Sequence, residues 1–165
     1  MQQTLLRTNK EISEIYYRHI NTVYRVCFMY VKNQYDTEDM VQTTFIKLMK
    51  SNKSFDNIEH EKAWLIVTAS NTCKDFLKHS SRKNIAIDDM SEIANEPSFE
   101  IDETIKLILS LPEKIKETIY MYYYEGYKSF EIAKLLKKNE STIRGYLHKG
   151  RELLRIQLGG NFYEK

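Results

Sequence analysis

The chain has 165 residues, enough for one domain or two small ones, and with 29% charged residues, five Gly and two Pro it has the make-up of a soluble, mainly helical protein. Cys27 and Cys73 show no CxxC spacing, and no cationic start runs into an apolar stretch of signal-peptide or membrane-spanning length, so the expectation is a cytoplasmic protein whose two thiols are free core residues. The net charge of +2 hides strong zoning, because residues 1–83 sum to +4, residues 84–103 to −7 without a single Lys or Arg, and residues 104–165 to +5.

The acidic stretch NIAIDDMSEIANEPSFEIDE reads as a solvated linker, which predicts an all-α fold of two small helical domains, 1–83 and 104–165, joined by an acidic flexible linker over 84–103. In the first domain, EISEIYYRHINTVYRVCFMYVKN places Ile12, Tyr16, Val23, Val26, Cys27 and Tyr30 at helical spacing. After a break at Asn33-Gln34, DTEDMVQTTFIKLMK opens with Asp36, Glu38 and Asp39 and closes with Lys47 and Lys50, the charge order that suits a helix dipole, with Val41, Phe45, Leu48 and Met49 as its buried face. SNKSFDNIEHEK is a polar loop with Phe55 as an anchor. KAWLIVTASNTCKDFLKHSSRK is a third helix, with Trp64, Leu65, Thr68, Thr72, Phe76 and Leu77 on or near one side and a basic end.

Beyond the linker, IDETIKLILS, LPEKIKETIYMYYYEG and SFEIAKLLKK read as helices separated by Pro112, Gly126 and the polar KKNES, and the run Tyr120 to Tyr127 is expected to serve packing. A last helix, NESTIRGYLHKGRELLR, keeps two glycines, each costing about 1 kcal/mol relative to Ala. On a helical wheel Ile143, Leu147, Gly150 and Leu154 share one sector, and Ser141, Arg144, Gly145, His148, Lys149, Glu152 and Arg155 the opposite one. Gly150 therefore predicts a close approach of another helix, and Gly145 an outward face that comes near something bulky. The last two helices have the form of a helix-turn-helix whose second member would enter a major groove. On this feature alone, DNA binding and a merely solvated basic face stand as equal readings.

Taken in order, DTEDMVQTTFIKLMK, KAWLIVTASNTCKDFLKHSSRK, LPEKIKETIYMYYYEGYKSFEIAKLL and STIRGYLHKGRELLR resemble the extracytoplasmic function (ECF) class of bacterial RNA polymerase sigma factors, from about residue 10 to 156. The resemblance implies a first domain that binds a coiled coil of the polymerase clamp and melts and reads the minus-ten element. It assigns clamp contact to Asp39, Gln42 and Thr43, with Ile46 and Met49 as apolar support, and Thr43 stands where the family usually has an acidic residue. It makes the loop from Ser51 to Glu61 the part that captures a flipped base of the non-template strand, with Asp56 and Asn57 at the pocket edge, an ordinary capping loop being the alternative for those two. Asn71, Lys74 and Asp75 would lie on the strand-reading helix, with Lys78, Arg82 and Lys83 as phosphate clamps.

In the second domain the resemblance places Ser141, Thr142, Arg144, Tyr146, His148, Lys149 and Arg151 on the recognition helix for the minus-thirty-five element. Arg144 would reach a guanine edge or a phosphate, and Lys149 and Arg151 phosphates. Lys137 and Lys138 occupy the turn where the family usually has Gly and an apolar residue, and Gly145 replaces a small polar residue. The implied partners are core RNA polymerase, promoter DNA and an anti-sigma factor.

Two other classes remain as alternatives: a stand-alone helix-turn-helix regulator acting as a dimer, and a helical adaptor that binds only protein. An enzyme is not expected, nor a metal or cofactor, since His19, His60, His79 and His148 make no metal spacing and no HExxH, P-loop or nucleophile elbow occurs.

Overall fold

The computed structural model describes residues 7–82 and 102–159. The chain divides into two compact units, Met1–Glu100 and Ile101–Lys165. Every described element is helical, as expected for an all-α protein. The expected linker lies outside the described residues except for Asp102 and Glu103, which cap and open a helix. Asp102 accepts from the Ile105 backbone N–H at 2.9 Å and so caps it, and Glu103 is its first residue. Carboxylates suit a helix N-terminus because the first N–H groups there lack intrahelical partners. The second unit's first helix thus begins one residue before the boundary drawn from charge, with its cap one residue earlier still.

In the first unit, helices α1 (Asn9–Val31), α2 (Gln34–Lys50) and α3 (Ile58–Arg82) pack mutually as a three-helix bundle. Helix α1 starts with a reciprocal cap, Glu11 N–H donating to Thr8 Oγ1 at 3.1 Å and Thr8 N–H to Glu11 Oε2 at 2.8 Å, a device worth about 1 kcal/mol. It ends where Lys32 turns left-handed (φ 62°), and Asn33 then caps α2 by accepting from Asp36 N–H at 2.8 Å.

The core of this unit takes Val23, Val26, Cys27 and Tyr30 from α1, as expected, while Ile12 and Tyr16 lie at its edge, Tyr16 against the ring of Phe45 with centroids 4.9 Å apart. Helix α2 contributes Val41, Phe45 and Leu48, together with Met40, Thr37 and Thr44. Met49, expected on this face, is instead 51% exposed. It stands about 100° around the helix from Leu48, far enough to clear both neighbouring helices. Helix α3 begins four residues earlier than expected because Asn57 caps it, accepting from His60 N–H at 2.8 Å, so the loop shrinks to 51–57. Its buried side is Ala63, Leu65, Ile66, Ala69, Ser70, Thr72 and Cys73; Trp64, Thr68, Phe76 and Leu77 are half-buried. Both cysteines are buried and free, and the hydrogen bond from Cys73 together with burial pushes the Cys27 thiol well up, which keeps it protonated and unreactive.

The second unit holds α4 (Glu103–Ile108), α5 (Glu113–Ile119), a π-helical turn (Tyr120–Tyr124), α6 (Ser129–Leu136) and α7 (Glu140–Gln157). The stretch expected as one helix over residues 111–126 therefore changes pitch midway. Glu125 N–H reaches back five residues to the Tyr120 carbonyl at 3.2 Å, and the Tyr120 and Tyr124 rings stack with centroids 5.2 Å apart. Ile105, Ile108, Ile119, Tyr120, Met121, Ile132, Ile143 and Leu147 form the core. Gly150 is part of it: a Cβ there would overlap Cγ1 and Cδ1 of Ile119 and stand 3.0 Å from Cγ2 of Ile115, so the bare backbone is what lets α5 approach α7.

Candidate functional site

Three exposed surfaces carry the residues singled out from the sequence. On α2, Asp39, Gln42, Ile46 and Met49 line one row opposite the core, Ile46 and Met49 being 47% and 51% exposed, and Thr43 lies half-buried beside them. The Thr43 hydroxyl donates to the Asp39 carbonyl at 2.9 Å, so its proton is taken up within the helix. Tyr35, 80% exposed, extends the row by one turn and escaped the sequence reading. Its signal is nevertheless present: Tyr35, Asp39, Gln42, Ile46 and Met49 follow a four-three-four-three spacing, the pattern by which one helix packs along a coiled coil.

The second surface joins the loop 51–57 to α3. Phe55 anchors the loop as expected, its ring centroid 5.5 Å from that of His60 and 5.7 Å from that of Trp64. Asn57 Oδ1 is committed to capping α3, whereas the Asp56 carboxylate is 93% exposed and only 3.8 Å from His60 Nδ1. Asn71, Asp75 and Lys78 are exposed at spacings of four and three on one side of α3, with Lys74 half-buried next to them. Arg82 closes α3, its side chain and all of Lys83 lying outside the described residues. Lys47 ties α2 to this helix by donating to Thr72 Oγ1 at 2.8 Å.

Beneath the loop, the buried Glu61 accepts from Arg18 Nη1 at 2.5 Å and lies 2.7 Å from His19 Nε2. Burial holds the His19 pKa below its ordinary 6.5 despite the opposing carboxylate, so the ring is neutral at pH 7 and donates its Nε2 proton to Glu61. These contacts fix the start of α3 to α1.

The third surface is the helix-turn-helix. The Ser129 hydroxyl donates to Glu140 Oε2 at 2.9 Å and locks α6 to α7. Between them Lys137 adopts the left-handed conformation (φ 56°) that glycine takes most easily, and Lys138 N–H returns to the Ala133 carbonyl at 2.9 Å. The turn thus keeps its shape with Lys in it. On α7, Ser141, Arg144, Gly145, His148, Lys149 and Arg151 are exposed, and Thr142 and Tyr146 are half-buried at the other flank. Nothing lies within 4 Å of a Cβ placed on Gly145. Glu152 tempers the basic face, 3.4 Å from His148 Nε2 and 4.0 Å from Lys149 Nζ.

Arg151 is not a free phosphate clamp. Its Nε donates to the Tyr123 hydroxyl at 2.5 Å and its guanidinium carbon lies 5.7 Å from that ring's centroid, so Tyr123, 50% exposed, serves this contact rather than the core. Arg144, His148, Arg151 and Arg155 recur at four-three-four spacing, and all four are exposed.

Comparison with known proteins places both units. The Sigma-70 region 2 family model matches residues 15–83, and the Sigma-70 region 4 model matches residues 101–154. RNA polymerase sigma factor SigV of Bacillus subtilis (strain 168) is 30% identical over 143 residues, covering 85% of this chain and 86% of that protein. The ECF RNA polymerase sigma factor SigM of the same strain is 25% identical over 154 residues, covering 87% and 93%. Among solved structures, the sigma factor RpoE of Bartonella quintana, in complex with the anti-sigma factor NepR, aligns with a TM-score of 0.71 at 18% identity, covering 92% of this chain and 99% of that one. The chain belongs to the ECF class of RNA polymerase sigma factors. Among its described residues no helix is long and apolar enough to cross a membrane.

Proposed function

We propose that the chain recruits core RNA polymerase to promoters and starts transcription there by binding alone, with each surface engaging a different target. The exposed row on α2 supports clamp binding: its spacing suits a coiled-coil partner, Ile46 and Met49 supply apolar contact, and Asp39 and Gln42 supply polar contact. The loop 51–57 and the Asn71–Lys74–Asp75–Lys78 side of α3 are suited to unwound strand, offering Asp56 and the amide nitrogen of Asn57 to a base and Lys78 to a phosphate. Helix α7 would lie in the major groove of the upstream element, Arg144 reading a base edge while Lys149 and Arg151 set register on phosphates. Gly145 leaves room for that approach.

The observation that carries this reading is the ordered match to both sigma regions in one chain. A stand-alone dimeric regulator would use the helix-turn-helix with the N-terminal bundle for dimerisation, and gives no reason for that bundle to match region 2. Charges of +4 and +5 on the two parts allow a handful of phosphate contacts each, and such non-specific binding has a Kd of about 10⁻⁴ to 10⁻⁶ M at physiological salt. Polymerase would hold both parts on one promoter and make the second contact intramolecular. An anti-sigma factor, as seen with RpoE, is the proposed inhibitor.

The test is a pull-down of core polymerase followed by transcription from a randomised promoter library. Enrichment of two short elements separated by a fixed spacer supports the reading. Tight binding to a palindromic duplex without polymerase would overturn it.

A further inference from the structure

Selective capture of an extruded base needs a pocket that keeps its shape, yet five of the residues in the loop 51–57 are exposed: Asn52, Lys53, Ser54, Asp56 and Asn57. A side chain from outside the loop holds it. Arg7 Nη1 donates to the carbonyls of Ser51 at 3.3 Å and Leu48 at 3.5 Å, and Nη2 donates to the carbonyl of Lys53. The Arg7 guanidinium carbon also lies 4.9 Å from the centroid of Phe55, the loop's aromatic anchor.

Each contact has a physical role. The Leu48 carbonyl, which also accepts from Ser51 N–H at 3.1 Å, and the C-cap carbonyl of Ser51 sit at the negative end of the α2 dipole, where a donating cation is favoured. Only arginine offers a planar fork that donates to several carbonyls while its face stacks on a ring; lysine supplies charge but not that geometry. Arg7 is itself well placed to act as an anchor. The next residue, Thr8, is locked into the cap of α1, and α1 is tied to α3 through the Arg18 and His19 contacts with Glu61. A cleft of about 330 Å³, lined by Arg7, Arg18, Lys53, Ser54, Phe55 and Glu61, opens where these parts meet.

We propose that Arg7 is a positioning residue for promoter recognition, holding the loop 51–57 in the form that reads a minus-ten base. The inference rests on the proposed role of that loop and goes beyond it by naming what shapes it. The experiment uses the full chain with core polymerase and a promoter library randomised at both elements, alongside hydrogen exchange of the loop amides. Arg7→Ala is expected to speed exchange across 51–57 and to flatten the minus-ten base preference about tenfold, the scale of one charged hydrogen bond, while minus-thirty-five preference and polymerase capture stay unchanged. Arg7→Lys should fall between, restoring charge without the fork. Should Arg7→Ala lower the melting temperature of the bundle, Arg7→Gln, which retains donors, takes its place in the same readouts. A double variant, Ser54→Ala with Asp56→Ala, tests the loop directly through two exposed side chains. If that variant loses minus-ten preference while Arg7→Ala and Arg7→Gln keep it, the positioning role is wrong and the loop's role stands; if the double variant keeps it too, the loop reading fails and Arg7's role falls with it.

Discussion

The two glycines of α7 make opposite predictions for the same substitution. At Gly145 a Cβ meets nothing within 4 Å, so Gly145→Ala gains the full helix preference of alanine, about 1 kcal/mol. At Gly150 the same gain is opposed by a methyl group that overlaps Cγ1 and Cδ1 of Ile119, a side chain only 1% exposed. Overpacking of this kind costs about 1–3 kcal/mol, which leaves Gly150→Ala net destabilising by about 1 kcal/mol and separates the two variants by about 2. In a unit of this size each kcal/mol moves Tm by about 4–8 °C. Native-state hydrogen exchange of the α5 and α7 amides reads the second unit in the intact chain and avoids mixing its unfolding with that of the bundle. Protection should rise in Gly145→Ala and fall in Gly150→Ala. A shift of the same sign in both would refute the assignment of one glycine to open surface and the other to a helix contact. Transcription adds a second readout: a methyl at position 145 that stabilises the unit but weakens use of the upstream element would mark that face as the one lying against DNA.

Three further outcomes follow from the geometry. Lys137→Gly, which relieves a side chain from the left-handed region, should stabilise the second unit by about 1 kcal/mol, and a loss of α7 amide protection would contradict that. His19 is neutral in the folded bundle while the unfolded chain takes up a proton once the pH falls below 6.5. Its contribution is therefore complete above pH 6.5 and is lost as the pH falls toward the lower folded-state value. Denaturant unfolding followed by Trp64, the single tryptophan, should show the bundle weakening as the pH falls below 6.5, and His19→Gln, which keeps a donor for Glu61, should flatten that slope. On α2, Ile46→Glu should weaken polymerase capture about tenfold with little change in the Trp64 melting curve, since Ile46 is 47% exposed; a melted bundle would show the residue to be structural.

Much of this molecule is local, and the local part is legible in the chain. The 3.6-residue period marks α1, α2, α6 and α7, and the wheel position of Gly150 already implies the close approach of another helix, which the structure identifies as α5 through Ile119. Helix α7 and its exposed residues follow from the same period. What periodicity leaves undecided are the positions at the margin of a stripe. Leu48 and Met49 are adjacent and both apolar, and only the placement of α1 and α3 determines that Leu48 is buried and Met49 exposed. Tyr123 belongs to an aromatic run that reads as packing, yet the π-helical turn delivers its hydroxyl to Arg151, 28 residues away. The Arg7 contact with the carbonyl of Lys53 spans 46 residues and has no signature at all, because a backbone carbonyl accepts from any donor regardless of its own side chain. Residue type and spacing thus determine which helices form and which faces they offer, whereas partners distant in sequence are chosen by how the helices pack, a matter of geometry that no single stretch of chain encodes.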